Sequence, residues 1–400
     1  MELVWYNAAT MPKQRIRRII KNTTRNKNAA KNARATASVL PHAVNLVDFE
    51  ILARRRVTLM AWNYLCGGAG DEITLRRNRE AYDSIFLQSR VLRDVSQVDT
   101  TLKLFGATMP FPVLLAPVAS QKIMHREGEI ATARAAGSLG ATMVVSSFAT
   151  TAIEQVARVA TAPLWFQLYV HPDRGFTREL VARAEAAGCR ALCLTVDTAV
   201  LGARNREART VFRLPPGLAA ENLRSLGTRA ASLGHGHADK TDKIYSPGID
   251  ASLTWRDVDW LRSLTKVPIV LKGILGAEDA KLAVEHGVAG LIVSNHGGRN
   301  LDTLPATIEA LPRVAEAVAG RVEILVDGGI RRGTDVVKAL ALGARAVLIG
   351  RPYIWGLAAN GANGVAQILD ILHRELLAAM ALCGVTSLAQ IDRKLLWMKD

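Results

Sequence analysis

The chain is 400 residues long, 49% hydrophobic and 5% aromatic, with a formal net charge of +15. That length holds one barrel-sized domain or two ordinary ones, and no apolar run reaches the roughly 18 residues that cross a bilayer, so no integral membrane segment is expected. The charge does not point to nucleic acid once it is located: residues 1–40 hold nine Lys or Arg against one acid, Glu2, and so carry more than half of the excess.

Residues 1–40, rich in Asn, Ala and Thr, cannot bury enough apolar surface to order themselves and read as a solvated, disordered tail. The tail is acid-poor and Arg-bearing, which leaves organelle targeting as the alternative to a cytoplasmic location. Serine is scarce in it, however, and the apolar core of a secretory signal is missing. Residues 41–400 read as one domain. Its first part, 41–110, holds a helical segment (Val47–Tyr64), a Gly67–Gly68–Ala69–Gly70 turn and a connector carrying Arg90 and Arg93. Cys66, Cys189, Cys193 and Cys383 have no zinc spacing and read as reduced packing residues of an intracellular protein, with no metal site.

From residue 113 onward, short apolar runs alternate with Ala-rich segments of helical period. The runs are Val113–Ala116, Thr142–Ser146, Leu164–Tyr169, Ala191–Val196, Pro268–Lys272, Gly290–Ser294, Glu323–Asp327 and Ala346–Gly350. Between them lie amphipathic stretches such as Gly128–Leu139, Arg178–Ala187, Ala277–His286 and Thr334–Leu342; Gly140, Gly188, Gly287 and Gly343 stand where helices end. Continuously apolar strands alternating with helices imply a parallel sheet covered on its outer face. Eight such units predict an α/β fold, a (β/α)8 barrel with an N-terminal helical extension. The connection after the fourth strand is by far the longest. It contains Pro215–Pro216–Gly217 and a Gly234–His235–Gly236–His237 run, and it reads either as a lid over the catalytic face or as a surface loop.

Barrels carry their chemistry at the C-terminal strand ends. The first run ends in Ala116, Pro117, Val118 and Ala119, small enough to lie against a flat ring. The second to fourth end at Ser146–Phe148, Gln167–Tyr169 and Thr195–Asp197, with Arg204 soon after. The fifth ends in Lys272, the sixth leads to His296 and Arg299, the seventh to Asp327, Gly328, Gly329 and Arg331, and the eighth to Gly350 and Arg351. Glycine amides beside guanidinium groups after the last two strands suit a phosphate, though glycines also simply make tight turns. A lysine ending an apolar strand needs an anionic partner or a depressed pKa, unless it bends to solvent. His296 can take a proton near neutral pH and Arg299 can hold a carboxylate by two parallel hydrogen bonds. Asp197 can orient His296 or cap a helix; Tyr169 can donate to a reacting oxygen or merely pack.

These segments resemble the FMN-dependent α-hydroxy acid oxidases and dehydrogenases, the glycolate oxidase, lactate oxidase and mandelate dehydrogenase group, over about residues 45–395. The resemblance rests on Ser-Asn-His-Gly-Gly-Arg at 294–299, Phe-Gln-Leu-Tyr-Val at 166–170, Leu-Thr-Val-Asp-Thr at 194–198, Leu-Lys-Gly at 271–273, Asp-Gly-Gly-Ile-Arg at 327–331 and Ile-Gly-Arg-Pro at 349–352. It implies His296 as the base that deprotonates the hydroxy acid, with Asp197 as its partner. Arg299 and Arg204 would bind the substrate carboxylate and Tyr169 the substrate oxygen. Lys272 would stabilise the reduced flavin, while Ser146, Gln167 and Thr195 bond the ring above Ala116–Ala119. Ser294, Asp327 and Gly329 would complete the FMN site, with Arg331, Gly350 and Arg351 at the phosphate.

Two positions depart from the group. Phe49 aligns with a tyrosine that usually helps bind the carboxylate, and Phe148 stands where glycolate-type members place tryptophan. Both imply a substrate larger or more apolar than glycolate. The expected reaction is oxidation of an L-2-hydroxy acid to the 2-oxo acid, with two electrons reaching flavin N5 as hydride or by way of a carbanion and passing to O2 or a soluble acceptor. A homotetramer is implied. The alternatives are a flavin-free barrel acting on a phosphorylated small molecule, and flavin redox modification of a peptide-derived precursor.

Overall fold

A computed structural model describes residues 43–226, 246 and 248–397; the basic tail and the Gly234–His237 run lie outside the described residues. Eight strands, β1 (Val113–Leu115), β2 (Met143–Ser146), β3 (Leu164–Leu168), β4 (Leu192–Thr195), β5 (Ile269–Ile274), β6 (Gly290–Val293), β7 (Glu323–Asp327) and β8 (Ala346–Ile349), form a closed barrel. Neighbours pair in parallel, and the barrel closes where β8 meets β1 with Val347 opposite Val113. The strands are buried almost without interruption, as Leu- and Val-rich runs covered on both faces must be.

Val144, Trp165, Cys193, Val270, Ile292, Leu325 and Leu348 fill the interior. A hairpin, Leu102–Leu104 with Ala107–Met109, seals the mouth at the strand starts. Its Leu102, Leu104 and Met109 join the core, and the Phe105 ring lies 5.4 Å from that of Trp165. The opposite mouth carries the site. All four cysteines are buried free thiols.

The expected single helix over Val47–Tyr64 is two helices: α1 (Leu46–Arg56), capped by Asn45 with Asp48 in a capping box, and α2 (Leu59–Cys66). Val57 and Thr58 are extended, and the Thr58 hydroxyl accepts the Ala61 amide at 3.2 Å; a β-branched hydroxyl residue favours a cap over a helix interior. Helix α3 (Ile73–Asp83) completes the extension. The barrel helices are α4 (Glu129–Ser138), α5 (Ile153–Ala157), α6 (Arg174–Ala186), the short α7 (Asn205–Arg209), α8 (Trp255–Leu264), α9 (Ala277–Glu285), α10 (Thr307–Val318), α11 (Gly333–Ala341) and α12 (Arg351–Leu382), the last kinked at Asn360–Gly361. Gly140, Gly188, Gly287 and Gly343 all adopt the positive φ of helix-ending glycine. No helix among the described residues is long and apolar enough to cross a membrane.

The connection between β4 and β5 is partly anchored. Its Asn222 accepts the Ile153 amide at 2.8 Å and donates to the Ser146 carbonyl at 3.3 Å, which fastens it to the loop after β2.

Candidate active site

One cavity opens at the C-terminal strand ends. It is lined by Ala116–Ala119, Ser146, Phe148, Gln167, Tyr169, Thr195, Arg204, Lys272, His296, Arg299, Asp327, Gly329, Arg331, Gly350 and Arg351, so nearly every residue singled out from the sequence meets there. Asp197 and Ser294 stand directly behind it. Ser294 is fully buried and accepts from Lys272 Nζ at 3.0 Å and from the His296 amide at 3.1 Å.

Phe49 is the exception and corrects the expectation. With Leu46 and Ala53 it forms the buried stripe of α1, and it does not line the cavity. The pre-barrel ring in the cavity is that of Tyr64, at the end of α2, stacked on Phe212 at 4.3 Å with the Arg299 guanidinium 5.2 Å from its centroid. The inferred loss of a tyrosine therefore does not hold. The break at Thr58 explains the misassignment, because it resets which residues share a helical face. The glycine turn just after Tyr64 was the available signal. Thr198, Leu201 and Ile249 also line the cavity and went unnoticed in the sequence.

His296 takes a positive φ of 58°, unusual for a residue with a side chain, in the turn after β6. Its Nδ1 lies 2.8 Å from Asp197 Oδ1, which leaves Nε2 as the nitrogen available to a ligand. Asp197 comes this close because β5 bulges at Gly273, where a Cβ would meet that of Asp197 at 2.5 Å. Asp197 also accepts from the Thr198 hydroxyl at 3.0 Å, and Asn300 Nδ2 donates to the Asp197 carbonyl at 2.8 Å and to Thr198 Oγ1 at 2.7 Å. Burial works to raise the Asp197 carboxyl, but His296 and Lys272 outweigh it and hold the group at about 2. Burial lowers the His296 pKa below its ordinary value against the pull of Asp197. The resting pair is thus an ionised carboxylate beside a neutral imidazole, the form a base requires.

Arg299 and Arg204 lie side by side, Arg204 Nε donating to the Arg299 carbonyl at 3.2 Å. Burial, with Arg204 close by, pulls the Arg299 pKa down to about 10, so the guanidinium stays charged at neutral pH. Arg299 donates to the Tyr64 and Gly67 carbonyls, and Arg351 to those of Leu65, Gly67 and Gly297. Carbonyls at the end of α2 that have no partner within the helix thereby find cations, as a helix C-terminus favours.

Lys272 is buried, 3.4 Å from Asp327 Oδ2. Burial would depress its pKa, but the carboxylates of Asp327 and Asp197 outweigh that and raise it, so the lysine is a fixed cation. Schiff-base chemistry, which needs a neutral amine, is disfavoured.

The cavity fits FMN on several counts. Ser146, Gln167 and Thr195 form a buried polar row across three strand ends, with bonds of 3.2 and 3.1 Å, beside the small Ala116–Ala119 bed. Asp327 Oδ1 is buried without a hydrogen-bond partner, an acceptor suited to a ribityl hydroxyl. Gly350 caps the N-terminus of α12, where free amides and the helix dipole favour a phosphate. A Cβ on Gly350 would make only ordinary contacts with Ala116 and Val118, so packing does not demand glycine there; its absence keeps the cavity open. Gly329 differs: a Cβ would strike the Asn78 carbonyl at 1.8 Å, so its approach to α3 requires glycine. The Arg331 guanidinium lies over the Trp355 ring at 4.8 Å, and burial lowers the pKa of Arg331 and of Arg351 to about 10. Two buried cations at one end of the cavity call for an anion.

A closed (β/α)8 barrel with a ring bed, a phosphate end and an Asp–His pair facing two arginines defines a flavin oxidoreductase site. A model of the FMN-dependent dehydrogenase family matches residues 53–398. The chain is 49% identical over 360 residues to an L-lactate oxidase of Nostoc sp., covering 88% of this chain and 98% of that protein. It is 49% identical over 350 residues to a peroxisomal (S)-2-hydroxy-acid oxidase of Oryza sativa subsp. japonica, covering 88% and 94%. A solved mandelate oxidase with (S)-4-hydroxymandelic acid superposes with a TM-score of 0.82 at 41% identity, covering 89% of this chain and 99% of that one. The chain belongs to the FMN-dependent dehydrogenase family, and FMN is its cofactor. That removes the flavin-free alternative.

Proposed function

We propose that this enzyme oxidises an (S)-2-hydroxy acid to the 2-oxo acid and passes the electrons to O2. The observation that carries the proposal is the Asp197–His296 pair at 2.8 Å, facing Arg299 and Arg204 across one cavity. Arg299 and Arg204 hold the substrate carboxylate. His296 Nε2 accepts the proton that the hydroxy acid gives up, and Asp197 stabilises the imidazolium that results. The Tyr169 and Tyr64 hydroxyls serve the substrate oxygens. Bound FMN supplies the two-electron sink, and Lys272 offsets the negative charge this places near it. The relatives named as oxidases support oxygen as acceptor.

Phe148, Leu201 and Ile249 give the cavity apolar lining, with Phe148 tilted against Tyr169 at 5.5 Å between ring centroids. This favours a substrate bulkier than glycolate, although Phe49 lies outside the cavity. A side chain filling this wall gains about 0.8 kcal/mol per buried methylene. In the test, purified holoenzyme is mixed anaerobically with glycolate, (S)-lactate, (S)-2-hydroxybutyrate, (S)-mandelate and their (R) forms, and bleaching of the flavin is followed before oxygen is admitted. The (S) acids beyond glycolate should bleach it fastest, with prompt reoxidation. Glycolate proving the best substrate refutes the preference, and a flavin that no 2-hydroxy acid reduces refutes the function.

A further inference from the structure

The short helix α7 places a carboxylate behind the two arginines. Glu207 is 7% exposed, and its Oε2 lies 3.5 Å from an Arg204 terminal nitrogen and 3.6 Å from one of Arg299. Neither separation makes a hydrogen bond, and Oε2 is buried with no hydrogen-bond partner. Glu207 therefore contributes charge to the arginine pair without taking a hydrogen bond from it, so the N–H groups not already given to the Tyr64, Gly67 and Arg299 carbonyls stay available to another acceptor. Its place is fixed from several sides. Asn205, at the start of α7, donates to the Gly70 carbonyl at 3.0 Å; the Gly70 amide donates to Ala203 at 2.8 Å; and the Ala69 amide donates to Gly298 at 2.7 Å. The glycine turn, α7 and the loop bearing Arg299 thus form one unit around the carboxylate.

The other charges near this end of the cavity have partners or roles of their own, including Arg351, which shares the Gly67 carbonyl with Arg299 and is the cation assigned to the cofactor phosphate. Asp197 serves His296 and Lys272, and Lys272 is paired with Asp327. Arg204, Arg299 and Glu207 together leave a single positive charge. We propose that Glu207 is a positioning and specificity residue that sets the anion site to one net charge and so selects monocarboxylates over dicarboxylates. With Glu207 neutral, the site would carry two positive charges and favour a ligand bearing a second carboxylate, even against the apolar wall. This rests on the proposed role of Arg204 and Arg299 in carboxylate binding.

The test uses non-oxidisable acids of similar size, propionate and malonate, titrated into oxidised holoenzyme, with Kd read from the perturbation of the flavin absorbance. Wild-type enzyme should bind malonate no more tightly than propionate. In Glu207→Gln the malonate-to-propionate affinity ratio should rise about tenfold, and the rise should shrink with added salt as a charge effect does. Glu207→Asp should keep the ratio within about threefold of wild type, since one methylene less retains the charge near both guanidinium groups. A purely structural role would weaken both acids together and leave the ratio alone. An unchanged ratio in Glu207→Gln overturns the proposal. So does a wild-type enzyme that already prefers malonate tenfold, a result that needs no variant to fold. Failure of the underlying function appears separately, as a wild-type flavin that no 2-hydroxy acid reduces.

Discussion

Replacing Asp197 by asparagine removes a charge and keeps the shape. The amide oxygen can take the place of Oδ1, accepting from His296, Thr198 and Asn300. The amide nitrogen then falls where Oδ2 is buried without a partner, at a stability cost of about 1–3 kcal/mol. What is lost is the attraction between the carboxylate and the imidazolium formed as the proton is taken. At the 2.8 Å separation this is at most about 6 kcal/mol with an effective dielectric near 20. That the carboxyl is held at about 2 despite its burial shows that His296 and Lys272 together outweigh the desolvation of the charge. Asp197→Asn should therefore slow flavin reduction on the order of 10²- to 10⁴-fold, with substrate affinity little changed. The pH dependence carries a second signature. With His296 as the proposed base, activity should need it neutral and be lost as pH falls through its pKa, which burial already depresses against the opposing pull of Asp197. Without that pull the pKa falls further, so the acid limb moves to lower pH although the rate is smaller. Anaerobic stopped-flow reduction across pH measures both. A slowing of less than threefold, or an acid limb that moves upward, refutes the reasoning.

Lys272→Met should lower the two-electron potential of the bound flavin by tens of millivolts, since about 30 mV corresponds to each 1.4 kcal/mol of lost anion stabilisation. It should also destabilise the fold by about 3–5 kcal/mol, because Asp327 is left as an unpaired buried charge. Spectroelectrochemical titration reads the first effect and denaturant unfolding the second; an unmoved potential counts against a role at the flavin. Asp335, fully buried in the first turn of α11, accepts the Arg331 and Arg332 amides at 2.9 and 3.0 Å and pairs with Arg79 at 2.6 Å. Asp335→Ala should cost about 3–5 kcal/mol in urea unfolding and weaken FMN retention, as Arg79 loses its buried ion partner and the Arg331 amide its acceptor. Equal stability and equal flavin content would remove that link.

The barrel was legible because its strands are continuously apolar and its helices end in glycine. The site was legible because a barrel collects strand ends at one mouth, so His296, Lys272 and Gly350 could be brought together without any knowledge of distance. The extension was harder. Reading 47–64 as one helix carried a single face past Thr58 and pointed to Phe49, whereas the cap at Thr58 turns α2 so that Tyr64 meets Arg299. Glu207 and Asn300 were invisible for another reason. Asn300 meets Asp197 across 103 residues of chain, and a carboxylate near an arginine in sequence does not declare which distant arginine it faces. Such pairings exist only once the loops after β4 and β6 are folded against each other.

The Gly67 carbonyl accepts from both Arg299 and Arg351, at 3.1 and 3.0 Å. One oxygen atom is thus a shared hinge-pin between the guanidinium assigned to the carboxylate and the one assigned to the phosphate. Binding that redirects Arg351 alters how firmly Arg299 is held, and linkage makes the influence mutual. With those roles, affinity for cofactor and affinity for substrate would be coupled quantities in this chain, and apoenzyme and holoenzyme would differ in the stiffness of the anion site as well as in the presence of the flavin.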